Sequence, residues 1–588
     1  MEVKRIFDLI PRYQRLFGNK EDVLCGKDEG VWVKVNLNEY NEKSNNISYG
    51  LMALGVQKGD KIASITFNRP EWNFLDIGIQ QTGAIHIPIY PTISDKDYKY
   101  ILQHAEVKYI FVAGEEMYRR IKHIIPEVQS IKAIYTFKNL HGIEHLNELI
   151  ELGASNSQPE KLQNIKDSIT GDDIVTIIYT SGTMGNPKGV VHAHKNIISN
   201  FIAVSYIPPM GVNEKALSFL PLCHIYERML NYMYQYLGIS VYYAESIVTV
   251  ADNIKEIHPD ILGTVPRLLE KIYDKIIATG RKQKGIKKMF FFWALHLGLR
   301  YELYNANGWF YNLQLKIARK LVFVKWKEAL GTKLDFIVSG GAALQPRLGR
   351  VFWAAGFRVL EGYGLTETSP VIAVSTLDPD GVKFGTVGPV LRGVTVKLAD
   401  DGEILVKSPG VMNEYYKEPE LTREAIDSDG WLHTGDIGLI EKEGQLRITG
   451  RKKEIFKTSF GKYIAPQPIE NKFKESAFID NIMVLGENQK FAAALIAPDF
   501  DHLRNWCKIK GIEYSTDKEM IELPRIKKRF QKEIKKYNEF FGEHEQIRKY
   551  HLLENEWSVE SGDLTATLKP RRTYINITYK EIIENMFA

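Results

Sequence analysis

The chain has 588 residues, 44% hydrophobic and 25% charged, with 77 basic against 72 acidic side chains and a formal charge of +5. One hydrophobic core organises roughly 250–300 residues, so at least two domains are expected, and the near-balanced charge gives no sign of a nucleic-acid partner. Cys25, Cys223 and Cys507 lie far apart, with no CxxC pair or Cys/His cluster; this excludes a disulfide framework and a cysteine-type metal site, and fits a reducing, cytoplasmic setting. The N-terminus carries Asp8 and Arg12 inside its short apolar stretch and lacks a secretory signal's pattern. The longest apolar run, Met289–Leu299, is too short to span a bilayer.

In chain order, Tyr40–Leu54 has helical spacing and is followed by Gly55, a plausible cap. Lys61–Phe67 reads as a strand, Glu71–Gly83 as a helix and Ile85–Ile89 as a strand ended by Pro91. Tyr98–His104 is helical and Lys108–Ala113 extended. Such alternation predicts an α/β fold with mostly parallel sheets. Val394–Leu398 and Glu403–Val406 flank Asp401-Gly402, a hairpin signal, and Leu439–Glu441 and Gln445–Thr449 flank Glu443-Gly444. Gly450–Glu454 reads as a polar joint. The expected division is a large α/β region, residues 1–450, built of several subdomains, and a small mobile α+β lid, residues 451–588.

Ile174–Tyr179 reads as a buried strand leading into Thr180-Ser181-Gly182-Thr183-Met184-Gly185-Asn186-Pro187-Lys188-Gly189. The glycines let backbone amides approach phosphate oxygens, while Thr180, Ser181, Thr183 and Lys188 add hydroxyls and a cation. A surface turn uses the same residues. The loop is not GxxxxGK[ST], since Pro187 precedes the lysine and Gly189 follows it. Residues 179–190 resemble the nucleotide loop of the adenylate-forming superfamily, which includes acyl-CoA synthetases, luciferase and peptide-synthetase adenylation domains.

The resemblance continues in the family's order from about residue 40 to 575. Leu220–Arg228 resembles the segment whose histidine, here His224, lies beside the acyl carboxylate. Ser339-Gly340-Gly341-Ala342 is similar to the segment that stacks on adenine. Glu361–Thr368 resembles the motif whose tyrosine, here Tyr363, packs on adenine and whose threonine, here Thr366, contacts the α-phosphate. Its glutamate, here Glu367, would help hold Mg²⁺ with Thr180 as a weaker partner, and Glu361, Gly362 and Gly364 would complete the nucleotide wall. Trp431–Asp436 matches the segment whose aspartate takes the ribose hydroxyls, Arg451 the arginine that also contacts ribose, and Lys453 the hinge residue. Lys457–Pro466 resembles long-chain fatty acyl-CoA synthetases in particular, with Lys457 and Tyr463 as cofactor-binding residues and Tyr463 offering an aromatic face to the CoA side. Leu564–Arg572 matches the catalytic loop, with Lys569 as its lysine.

These matches imply an AMP-forming fatty acid–CoA ligase using ATP, CoA and Mg²⁺. Lys569, His224, Thr366 and Glu367 would act at the reacting centre, without a covalent cysteine. A fatty acyl-AMP ligase serving a carrier protein, or a non-catalytic nucleotide-binding membrane scaffold, are the alternatives. Residues 281–333 contain twelve Lys/Arg, two acids and many aromatics, a composition suited to peripheral binding at the inner face of a membrane, though the aromatics could equally pack inward. Met229–Ala244 could line an acyl tunnel or belong to a helix core.

Overall fold

Apolar runs too short for helices and bounded by turns form the inner strands of two sheets. A computed structural model describes residues 2–180, 186–565 and 568–588. In a seven-stranded sheet the strands Ile174–Thr180, Ile85–Ile89, Lys61–Ile65, Val107–Val112 and Ala133–Thr136 run parallel, and Lys188–Ala193 and Glu414–Tyr415 close one side antiparallel. An eight-stranded sheet has six parallel strands, from Arg358–Gly364 across to Leu24–Asp28, with an antiparallel strand at each edge. Buried on both faces, parallel strands favour continuous β-branched runs over alternation; Ile85–Ile89 is buried at every residue.

Two helices join these sheets. Pro70–Gln81 and Ile225–Leu237 contribute to one hydrophobic core with strands of both sheets. Every side chain from Glu227 to Gln235 is buried, so polar residues inside this helix need internal partners.

The helix expected over Tyr40–Leu54 runs Leu37–Ala53, because Asn36 caps it by accepting the Glu39 N–H at 3.0 Å. The strand expected to reach Phe67 stops at Ile65. Beyond it, Asn68 donates to Ser218 Oγ and Leu220 O in the other sheet region, drawing the chain out of its own sheet. The helix expected over Glu71–Gly83 runs Pro70–Gln81, with proline at its first position. Both expected hairpins form within a four-stranded antiparallel sheet. Gly450 and Arg451 are not part of a joint: they end the strand Leu446–Arg451, because the register sets Arg451 opposite Asp436. The chain then turns at 452–454. Beyond it, a three-stranded mixed sheet, Ile479–Leu485, Ala492–Pro498 and Ile547–Leu552, carries helices over its own core.

Residues 281–333 divide both ways. Tyr311, Phe323 and Trp326 are buried, and Phe291 packs on Trp326. Ile286, Met289, Phe290, Trp309, Phe310, Leu313, Ile317 and Leu321 are exposed. Among the described residues, no helix is long and apolar enough to cross a membrane.

Candidate active site

The strand Ile174–Thr180 and its antiparallel partner Lys188–Ala193 set Thr180 opposite Lys188. Both line a cleft of about 2880 Å³. Pockets for one small ligand span roughly 300–1,000 Å³, so this cleft has room for a nucleotide and a second substrate. The expected contacts of Ser181, Gly182, Thr183 and Gly185 lie outside the described residues.

A second wall comes from Arg358–Gly364 and the tight turn after it. Gly362, Tyr363, Gly364, Thr366 and Glu367 all face the cleft. Gly364 admits no side chain, because a Cβ there would sit 1.8 Å from the Pro370 carbonyl oxygen. Residues on another segment hold the turn and the nearby stretch 409–411. His192 Nδ1 pairs with Ser369 Oγ at 3.0 Å, Asn200 accepts the Val371 N–H at 3.2 Å and donates to Val371 O at 2.9 Å, and Asn196 donates to Pro409 O and Val411 O. Tyr415 donates its hydroxyl to Glu367 Oε1 at 2.7 Å, and its ring lies 5.1 Å below the Lys188 ammonium. Tyr415 is a site residue that sequence reasoning missed: it sits in a two-residue strand whose pairing with Val190 no local pattern announces.

Gly340 and Gly341 form a third wall, with Gly341 at φ +81°, where glycine is favoured. The Tyr226 ring packs beside Gly340 and its hydroxyl donates to Val338 O at 2.9 Å. His224 caps the start of the helix Ile225–Leu237: its Nδ1 accepts the Tyr226 N–H at 3.1 Å. Nδ1 therefore carries the lone pair and Nε2 the proton. Burial, and then the Lys569 charge, push His224 down to about 4, so it is a neutral hydrogen-bond donor at physiological pH. Cys223 is buried and burial pushes its thiol up, which removes it as a nucleophile.

Asp436 is buried just behind Gly435 at the cleft edge. Arg451 Nε donates to its Oδ1 and Tyr363 to its Oδ2, each at 2.8 Å. A carboxylate offers about four acceptor positions, so two remain for other donors. Lys453 lines the cleft at the turn after Arg451. Lys569 enters the cleft from the far end of the chain. It is water-accessible but walled by protein; that enclosure and Arg451 lower its pKa, with Asp436 and Glu454 opposing.

Three expected residues fall elsewhere. Glu361 is buried beneath the wall, pushed up to about 8 by burial although the Leu344 N–H donates to it. Lys457 and Tyr463 pair on a small hairpin away from the cleft, the ammonium 5.5 Å from the ring. Of Met229–Ala244, Met229, Leu230 and Tyr243 reach the cleft and the rest is core. Among the described residues no cluster of three or more His, Cys, Asp or Glu could hold a metal unaided. Glu367 with Thr180 does suit Mg²⁺, which commonly takes one or two carboxylates plus substrate phosphates.

Comparison with known proteins follows the same outline. The profile described as "AMP-binding enzyme" matches residues 16–416, and "AMP-binding enzyme C-terminal domain" matches 454–588. The chain belongs to the AMP-binding enzyme family. Among curated family members it is 32% identical to "Long chain acyl-CoA synthetase 6, peroxisomal" of Arabidopsis thaliana, over 92% of this chain and 79% of that protein. It is 31% identical to "Long-chain-fatty-acid--CoA ligase FadD15" of Mycobacterium bovis, over 95% and 93%. Its fold is similar to an anthranilate CoA ligase solved with anthranoyl-AMP (TM-score 0.74, 18% identity, 99% of each chain). It is also similar to a Mycobacterium tuberculosis fatty acyl CoA synthetase (0.64, 20%, 99% of each). The adenylate-forming resemblance and the α/β fold expected from the sequence are both borne out.

Proposed function

We propose that this chain is an AMP-forming long-chain fatty acid–CoA ligase, converting ATP, a fatty acid and CoA to acyl-CoA, AMP and diphosphate. The observation carrying this reading is the convergence of Thr180, Lys188, His224, Thr366, Glu367, Arg451 and Lys569, drawn from some four hundred positions of sequence, on one cleft.

A fatty carboxylate oxygen attacks the α-phosphorus of ATP; the bond to the bridging oxygen breaks and diphosphate leaves. Two anions must meet, and unit charges about 4 Å apart repel by roughly 4 kcal/mol at an effective dielectric of about 20. Lys569 and Lys188 supply cations to offset that repulsion, and Thr366 a hydroxyl donor. His224 donates through Nε2 to the carboxylate, orienting it without taking its charge. Tyr363 and Gly341 flank adenine, and Asp436 takes the ribose hydroxyls beside Arg451. Glu367 and Thr180 would hold Mg²⁺, which neutralises phosphate charge when bound. In the second step the CoA sulfur attacks the adenylate carbonyl, the thiol proton goes to solvent, and AMP leaves.

Lys569 occupies space beside the acyl centre that CoA needs. We infer that the chain beyond Lys453 forms a lid turning about that residue, withdrawing Lys569 and bringing Lys457 and Tyr463 toward the thiol. The exposed stripe Trp309, Phe310, Leu313, Ile317 and Leu321, interspersed with Lys316 and Lys320, supports docking on an anionic phospholipid surface. Among the described residues ten of the 28 exposed large hydrophobics lie in residues 281–333, under a tenth of the chain.

Incubating the protein with ATP, palmitate and Mg²⁺, with and without CoA, tests the reaction. CoA-dependent palmitoyl-CoA with one AMP per turnover is expected. ADP, or no turnover with any carboxylate, overturns it.

A further inference from the structure

Directly beneath the cleft lies a pair of opposite charges that the chemistry above does not use. Asp76, on the helix Pro70–Gln81, and Arg228, on the helix Ile225–Leu237, are both 0% exposed and bonded at 2.5 Å. Each side-chain nitrogen and oxygen of the pair has a partner. Asp76 also accepts from Tyr232, Gln80 and His86 Nδ1 at 2.5, 2.8 and 2.7 Å. His86 Nε2 meets Ser64 Oγ at 2.7 Å. Arg228 donates through Nε to Tyr232 at 2.8 Å and through Nη1 to Thr176 Oγ1 at 2.7 Å, and Thr176 donates on to His86 O at 2.7 Å. Burial acts to raise Asp76, yet Arg228 and His86 outweigh it and hold the carboxyl at about 2. The pair is therefore charged, and His86, lowered chiefly by burial, stays neutral.

Removing two charges from water costs more than most buried pairs return, and apolar replacements are often no less stable. Stability alone is a weak reason for this arrangement. Position is a better one. Arg228 lies one turn from His224, and its N–H bonds to His224 O. Thr176 lies on the strand that delivers Thr180 to the phosphate loop.

We propose that Arg228 and Asp76 are positioning residues, which lock the helix bearing His224 in register with the strand bearing Thr180. The acyl carboxylate and the α-phosphate are thereby held at attack distance. The inference rests on the ligase reading: His224 must meet the carboxylate and Thr180 the phosphates. A misplacement of about 1 Å costs on the order of 100-fold in rate. The directional fork of arginine, which reaches Asp76, Thr176 and Tyr232 at once, is what lysine cannot reproduce.

The test uses palmitate-dependent ATP–diphosphate exchange, with ATP affinity and thermal unfolding measured in parallel. Wild-type exchange tests the ligase reading; ratios to wild type test this inference. The double variant Asp76→Leu/Arg228→Met is expected to unfold within a few degrees of wild type and to bind ATP within about threefold, while exchange kcat falls about 100-fold. A folded double variant with kcat within threefold of wild type overturns the proposal. Thr176→Val keeps the ion pair and removes the hydroxyl that links Arg228 to the phosphate strand, together with its bond to His86 O, so it decides the matter if the double variant does not fold. Its kcat should fall about tenfold with KM for ATP unchanged; an unchanged kcat, or a loss confined to KM, overturns the proposal.

Discussion

Arg267, on the helix Pro266–Lys282, forms an ion pair with Asp480, on the first strand of the C-terminal sheet. Arg347 approaches Glu475 at 4.0 Å nearby. Together they pin the C-terminal region in the orientation that puts Lys569 in the cleft. A charged hydrogen bond of this kind contributes on the order of 1.5 kcal/mol, about tenfold in a population. Asp480→Asn is therefore expected to slow adenylation about three- to tenfold while leaving thioester formation from supplied palmitoyl-AMP unchanged or faster. Equal losses in both half-reactions would count against this pair as a latch.

Lys569→Ala removes the cation whose charge bears on His224. Loss of one donor to developing charge typically costs about 100- to 1,000-fold. Diphosphate exchange should fall by that order, while thioester formation from supplied acyl-adenylate should stay within about tenfold. Rapid-quench measurement of each half-reaction checks the split, and adenylation at the wild-type rate would remove Lys569 from the mechanism.

Lys453→Pro fixes φ in the turn after Arg451 without touching the cleft's other groups. The expected result is the reverse bias, with thioester formation slowed more than adenylation. If adenylation suffers as much, the turn is not the hinge.

Burial pushes Glu227 from an ordinary 4.5 up to about 8 despite a bond from Ser218, and its Oε2 has no partner among the described residues. The sign follows from proton linkage: the folded state holds this proton more tightly than the unfolded one. The stability it carries is complete below pH about 4.5 and is lost as pH rises toward about 8, by at most about 1.4 kcal/mol per unit. Glu227→Gln should remove that slope and unfold at a higher temperature than wild type at pH 8. Parallel melting curves across pH would reject the assignment.

Trp309→Ala/Phe310→Ala deletes two exposed rings, 78% and 60% accessible, from a face already outside the core. Thermal stability should be unchanged, and binding to phosphatidylserine vesicles should fall at least about tenfold, given about 1.5–3 kcal/mol for full burial of such a side chain. Binding by the wild type should weaken with salt. Indifference to lipid charge, or full binding by the variant, excludes this face as the docking surface.

Much of the site was legible in the sequence because adjacent residues compose it. Thr180 to Lys188, Tyr363 to Glu367 and Trp431 to Asp436 are contiguous runs whose glycines, hydroxyls and carboxylates state their chemistry locally. Glu361 belongs to such a run as well, but its side chain is buried in the protein and does not line the cleft, which no local pattern announces. Tyr415, His192 and Asn200 gave no signal, since each acts on a residue 48 or more positions away.

Local order in this protein follows from short-range rules: periodicities of 2 and 3.6, a capping Asn36, proline at Pro70, and glycines where no Cβ fits. These depend on neighbouring residues and can be read without a fold. Which segments meet is a different matter. The pairing of Asp76 with Arg228, the entry of Lys569 beside His224, and the division of residues 281–333 into buried and exposed rings were decided only where sheets, helices and the C-terminal region pack across an interface. A side chain's partner across that interface depends on register and on the burial of everything between, neither of which is written at either position alone.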